Sequence, residues 1–275
     1  DGGARSADRL GQWTGRARSG VGIDPGAVGV GAAARIGRGA VTAVLAARDV
    51  VVSHGRTVVL RGVSLEVGAG SVVAVLGPTG AGKTTLFRAL VGERVADAGR
   101  VELNGSDVTS EPLWRRARRG LGYVPQGPSV LPDLTVQQNL ETYLVLGRGA
   151  GGVREWAERV GLGHRLELRA GQLSGGERRL LELARALIPG PRVIVCDEPF
   201  SGIDPIGARK VAKLLRGEAT GGVAVLLADH HADLALELSD RAVLLVDGAL
   251  RREGTPEELR ADAEVCERYL GRAGG

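Results

Sequence analysis

Gly77-Pro78-Thr79-Gly80-Ala81-Gly82-Lys83-Thr84 carries the spacing GxxxxGK[ST], directly after the mostly apolar run Ser71–Leu76. That spacing suits phosphate. Glycines let backbone N–H groups close around phosphate oxygens, and a helix starting at the loop's end adds a partial positive charge. In such a loop Lys83 reaches the β- and γ-phosphates of a nucleoside triphosphate, the Thr84 hydroxyl holds Mg²⁺, and Thr85 touches the α-phosphate. A chance glycine-rich turn is the plain alternative, and the strand–loop–helix context argues against it.

A phosphate loop needs an acidic partner for its metal. Val193-Ile194-Val195-Cys196 ends in Asp197-Glu198, two carboxylates at the close of an apolar strand. Successive strand residues point opposite ways, so Asp197 can orient Mg²⁺ through its water shell while Glu198 polarises an attacking water. Alone, the pair would read as two solvated acids at a strand end. A second anion site is suggested by Leu173-Ser174-Gly175-Gly176-Glu177, which precedes a helical run and puts a serine and two glycines at a helix N-terminus. Only the first of the two helix ends carries a lysine.

The elements that must position these groups follow from the apolar pattern. Strands are expected over Val41–Ser53 and Val58–Val67, flanking a turn at His54-Gly55, and over Ser71–Leu76, Val193–Cys196, Val223–Leu227 and Ala242–Val246. A helix is expected at Thr84–Val91. Between Gln126 and Pro191 the pattern is mostly helical: Thr135–Leu146, Gly152–Val160 and Glu177–Ile188. Thr255-Pro256-Glu257-Glu258 is a capping box that opens a last helix. Strands alternating with helices predict an α/β core, with residues 127–190 forming an inserted helical subdomain.

The 275 residues are 43% hydrophobic, an ordinary globular composition able to bury one large core. No apolar run approaches the ~18 residues of a membrane-crossing helix, so a membrane role would need another chain. The net charge is +4; six Arg and three Asp fall in residues 1–40, leaving +1 for the rest. That distribution offers no basic patch for nucleic acid and reads as a solvated surface. Cys196 and Cys266 give neither metal spacing nor a disulfide framework. Residues 1–40 are rich in Gly, Ala and Arg and show no period, and the chain contains no Met. They are expected to be a disordered or misassigned leader, with a start at Val41 read from an alternative codon, ahead of a nucleotide-binding domain over 41–275.

Taken together and in this order, the phosphate loop, Leu173-Ser174-Gly175-Gly176-Glu177 and Asp197-Glu198 resemble the ATP-binding-cassette family from Val41 onward. The resemblance implies a phosphate-loop NTPase core with an antiparallel β subdomain and an inserted helical subdomain. It implies ATP and Mg²⁺ as ligands. It also implies a homodimer or paired cassette in which Ser174, Gly175 and Gly176 meet the γ-phosphate held by the other chain. It casts Gln126 as a sensor of Mg²⁺ and water, His230 as a γ-phosphate contact, and Asp204 as a residue of the dimer seam. His54 stands where the family stacks an aromatic, often tyrosine, on adenine. Integral membrane permease subunits are the implied partners, with the chain on the cytoplasmic face of the inner membrane.

Within the family, Leu173–Arg179, Ala184-Arg185-Ala186-Leu187 and Asp197-Glu198-Pro199-Phe200-Ser201-Gly202-Ile203-Asp204-Pro205-Ile206 look like lipopolysaccharide-export ATPases. Ala117–Tyr123 and Tyr269-Leu270-Gly271 look similar too, while Gln126-Gly127-Pro128 leans toward branched-chain amino-acid importers. A cassette acting without any membrane subunit is the third alternative.

Overall fold

The computed structural model describes residues 43–146, 151–263 and 265. The expected leader with its start at Val41, Cys266, and Tyr269-Leu270-Gly271 lie outside the described residues. Strands β1 (Ala43–His54) and β2 (Thr57–Gly68) form an antiparallel hairpin. The fully buried β3 (Val72–Leu76) feeds the phosphate loop and α1 (Lys83–Val91). Next come β4 (Ala98–Leu103), β5 (Ser106–Asp107), α2 (Leu113–Arg118) and β6 (Leu121–Val124). Three helices follow, α3 (Val136–Leu146), α4 (Val153–Arg159) and α5 (Gly175–Leu187), with short 3-10 turns at Gly163–Arg165 and Ala170–Gln172. The chain then alternates through β7 (Val193–Asp197), α6 (Pro205–Thr220), β8 (Ala224–Ala228), α7 (Ala232–Leu238) and β9 (Arg241–Val246). Strand β10 (Ala249–Gly254) and α8 (Pro256–Ala261) are the last elements among the described residues.

The strands make two sheets: an antiparallel one ordered β2-β1-β4-β5, and a second ordered β10-β9-β3-β8-β7-β6. In the second, all neighbours pair parallel except β10 with β9. Because side chains alternate along a strand, each parallel strand divides its residues between two cores. Val73, Val75, Val193, Val195, Leu226 and Leu245 pack with α1 and the antiparallel sheet. Val72, Ala74, Ile194, Cys196, Leu227 and Leu244 face the side of α5, α6 and α7. The fold is thus the expected α/β arrangement with an added antiparallel sheet.

The apolar pattern does not announce β4, β5, α2, β6 or β10. Strand β4 alternates buried Val101 and Leu103 with charged Arg100 and Glu102, and α2 reads Leu-Trp-Arg-Arg-Ala-Arg. That helix is anchored by Arg116, which is buried and donates to the carbonyls of Ala89, Leu90, Thr109 and Glu111. Burial lowers the Arg116 pKa to about 10, against the raising effect of Glu111 and Asp107. The charges are therefore not only a solvated face: Lys83, Arg116, Arg179 and Arg185 are all buried.

The β9–β10 turn ties the sheets to the phosphate loop. The Gly248 amide donates to the Ala81 carbonyl at 3.0 Å, and its own carbonyl accepts from the Arg61 amide at 2.8 Å. Gly248 has φ 74°, and a Cβ there would stand 1.9 Å from the Val59 carbonyl. Left-handed backbone costs a non-glycine residue about 1–3 kcal/mol even without a clash. Gly248→Ala is therefore expected to lower unfolding free energy by at least about 2 kcal/mol, read by urea denaturation. Strand β2 should also be displaced from the Gly77–Thr84 loop, whose Gly82 lies against Val59 and Leu60.

Candidate functional site

Register brings the singled-out residues to one edge. Val75 of β3 and Asp197 of β7 both pair with Ala228 of β8, and Val124 of β6 pairs with Cys196. The loops at the ends of those strands therefore emerge side by side: the phosphate loop, Asp197-Glu198, His230 and Gln126. Parallel sheets bind ligands outside these carboxyl ends. Here the edge holds a cleft of about 260 Å³ lined by Val59, Thr79, Gly80, Gly82, Lys83, Thr84, Thr85, Gln126, Glu198 and His230.

Helix α1 enters the cleft uncapped. Its N-cap Gly82 has no side chain to accept a hydrogen bond, and no acid occupies its first turn. The first intrahelical bond runs from Leu86 to Gly82, so the Lys83, Thr84 and Thr85 amides are left for a ligand. Lys83 is buried and donates to the Gly77 carbonyl at 2.6 Å and the Pro78 carbonyl at 3.0 Å. Burial lowers its pKa, while Glu198, Asp197 and Asp229 oppose that shift. Ala81 is buried beneath the loop.

Asp197 is buried, and its Oδ2 has no hydrogen-bond partner among the described residues. Burial raises its pKa; a hydrogen bond with the Thr84 side chain pulls the other way. A buried orphaned carboxylate oxygen beside a threonine hydroxyl fits Mg²⁺, which retains several waters and needs few protein ligands. Glu198 sits in left-handed backbone at φ 53°. Its amide donates to the Ala228 carbonyl at 2.7 Å, and its Oε1 lies 2.8 Å from His230 Nε2. Such strain persists only where surrounding bonds over-determine it. His231 pairs instead with Asp229, whose other oxygen accepts from the Phe200 amide.

The other candidates lie apart from the cleft. Ser174 caps α5, accepting from the Glu177 amide at 3.2 Å while Glu177 accepts from the Ser174 amide at 2.9 Å. This capping box is legible in the spacing Ser-x-x-Glu. Gly175 and Gly176 allow close packing on the next element, since a Cβ on Gly176 would stand 3.2 Å from the Gly207 Cα. Asp204 caps α6 through the amides of Ile206 and Gly207, both at 2.9 Å, and those bonds lower its pKa, the Gly207 one most. His54, exposed at the end of β1, pairs with Thr57 and does not line the cleft; Val59 does.

The apolar pattern of the sequence gives no sign of a charged face on α5. Arg179 donates to the carbonyls of Pro125, Gln126 and Glu198 and pairs with Glu182 at 2.7 Å. The spacing Arg179, Glu182, Arg185 places all three on one helix face, the signal that could have found it.

The chain matches the protein-family model described as ABC transporter over residues 60–201. It is 42% identical over 232 residues to a probable ABC transporter ATP-binding protein of Azorhizobium caulinodans, covering 82% of this chain and 83% of that one. It is 40% identical to the lipopolysaccharide export system ATP-binding protein LptB of Acidithiobacillus ferridurans, covering 82% and 96%. A dimeric ATP-binding cassette in a post-hydrolysis state with ADP and Pi superposes with a TM-score of 0.68 at 26% identity, covering 77% of this chain and 98% of that one.

The raised Asp197 pKa has a testable sign. A carboxyl whose folded pKa lies above its unfolded value contributes stability at acid pH and loses it as pH rises through the folded value. Asp197→Asn is expected to raise the melting temperature at neutral pH by a few degrees, with the difference closing on acidification. Mg²⁺-dependent turnover should fall by more than about 100-fold, measured alongside the melting curves.

Proposed function

This chain belongs to the ABC transporter family and is an ATP-hydrolysing, ATP-binding subunit of it; from that premise we propose how its residues work and what they serve. Cassettes of this family function as dimers with membrane permease partners, and no helix among the described residues is long and apolar enough to cross a membrane. The observation that carries the reading is the cleft in which the phosphate loop, Gln126, Glu198 and His230 converge.

In this reading the phosphates of ATP lie on the loop Gly77–Thr84 and the open amides of α1, with Lys83 turning from the Gly77 and Pro78 carbonyls to the β- and γ-phosphates. Thr84 would hold Mg²⁺, Asp197 would orient it through its water shell, and Gln126 would sense the ion and the attacking water; the ion, when bound, neutralises phosphate charge. Glu198 accepts a proton from the attacking water, and His230, hydrogen-bonded to Glu198, contacts the γ-phosphate. Ser174, Gly175 and Gly176 present the α5 tip to the γ-phosphate held by a second copy, with Asp204 along that seam. His54 would flank the base. The nucleotide-binding domain is assigned to 41–275, with about 127–190 as its helical subdomain.

The cargo side is proposed as lipopolysaccharide export, supported by 40% identity to an export ATPase over most of both chains. Gln126-Gly127-Pro128 favours the second reading, import of branched-chain amino acids. Recovery of the tagged chain from membranes, with identification of its permease, separates the two.

With ATP and Mg²⁺, Glu198→Gln should lose about 100-fold or more in turnover, keep its ATP affinity, and run as a dimer in gel filtration. Lys83→Ala should lose binding or turnover. A Glu198→Gln chain that hydrolyses at the wild-type rate would remove Glu198 as the base.

A further inference from the structure

Arg179 spends its hydrogen bonds on the backbone of the two segments that carry Gln126 and Glu198. From α5 its Nη1 donates to the Pro125 carbonyl at 3.0 Å and to Glu182 Oε2 at 2.7 Å. Its Nη2 reaches the Gln126 and Glu198 carbonyls, each at 3.4 Å. Both Arg179 and Glu182 are buried. The same helix continues the grip: Glu182 Oε1 accepts from the Ser129 amide at 2.7 Å, and Arg185 donates to the Ser129 carbonyl. Backbone from 125 to 129 is thus bound to α5 by three successive side chains of one face. Arg185 also lies over the Tyr143 ring at 4.5 Å, which joins α3 to the set.

We infer that Arg179 is a positioning residue for hydrolysis, holding the Gln126 and Glu198 backbones in a set relation to the helix that begins at Ser174. The inference rests on the function proposed above. A planar guanidinium with several donors can serve carbonyls from two strand ends at once, which an ammonium cannot do in the same geometry. Glu182 supplies the opposite charge that makes its burial tolerable. One of the carbonyls it reaches belongs to Glu198, the one non-glycine residue lining the cleft that sits at positive φ, whose conformation depends on its surroundings. Glu198 is also held by its amide, which donates to the Ala228 carbonyl at 2.7 Å, and its carbonyl accepts from the Ser201 amide at 3.2 Å. Arg179 is the part of that support contributed by α5. A shift of α5 relative to the sheet would therefore strain the Arg179 bonds to the Glu198 and Gln126 backbones together.

The test uses the full chain, with Arg179→Lys and Arg179→Ala measured beside wild type. Turnover is measured at saturating MgATP, affinity with a fluorescent ATP analogue without turnover, and folding by circular dichroism at the assay temperature. Arg179→Lys keeps the charge opposite Glu182 and so keeps the test alive should Arg179→Ala fail to fold. The expected result is a kcat lowered at least fivefold with nucleotide Kd within twofold of wild type. A smaller fall in kcat, or a loss of affinity in step with kcat, overturns the inference and leaves Arg179 a packing residue. Failure of the wild-type chain to hydrolyse ATP would instead strike the underlying reading.

Discussion

Charge held out of water at one sheet edge governs how this molecule is built. Lys83 is buried against two backbone carbonyls, and Asp197, Glu198 and Asp229 lie near enough to oppose the lowering of its pKa. Asp197 adds a buried oxygen with no partner among the described residues, and α1 opens without a cap. Each is a cost to the resting fold, since unpaired buried polar groups are unfavourable. The proposed guest, a polyanion accompanied by a divalent cation, would satisfy all of them. The five parallel strands supply the rigidity that keeps such a constellation from relaxing.

The two helix ends proposed to meet phosphate are made differently. Helix α1 leaves its first amides open, whereas α5 carries a complete capping box at Ser174 and Glu177. An uncapped end depends on its ligand for satisfaction. A self-capped one keeps its shape without any, which suits a surface offered to a second chain. Asp204 behaves like Ser174, spending its carboxylate on the start of α6 next to the glycines of α5.

Much of the edge was legible because its parts are local. The glycine-lysine loop, the apolar run closing in Asp197-Glu198 and the Thr255 capping box each declare themselves over a short stretch of chain. Strands β4 and β10 did not, since β4 interleaves its buried valine and leucine with charges and β10 is a mostly exposed edge strand, and α2 is half arginine and owes its place to one buried guanidinium. Arg179 escaped for the same reason: buried arginine looks like surface arginine until the carbonyls it serves are known. His54 was singled out by its place in the chain alone; it lies exposed at the end of β1, outside the lining of the cleft, to which Val59 on β2 contributes.

Strand β10 runs against the other five and ends its sheet with Arg251, Arg252 and Glu253 exposed. A reversed, charged border of this sort discourages further strands from adding to it, the usual route by which sheets fuse into permanent or disordered assemblies. Association is thereby channelled away from the backbone ladder and toward helix tips and loops. Contacts of that kind, such as those of the pairing proposed above, can form and dissolve within a working cycle.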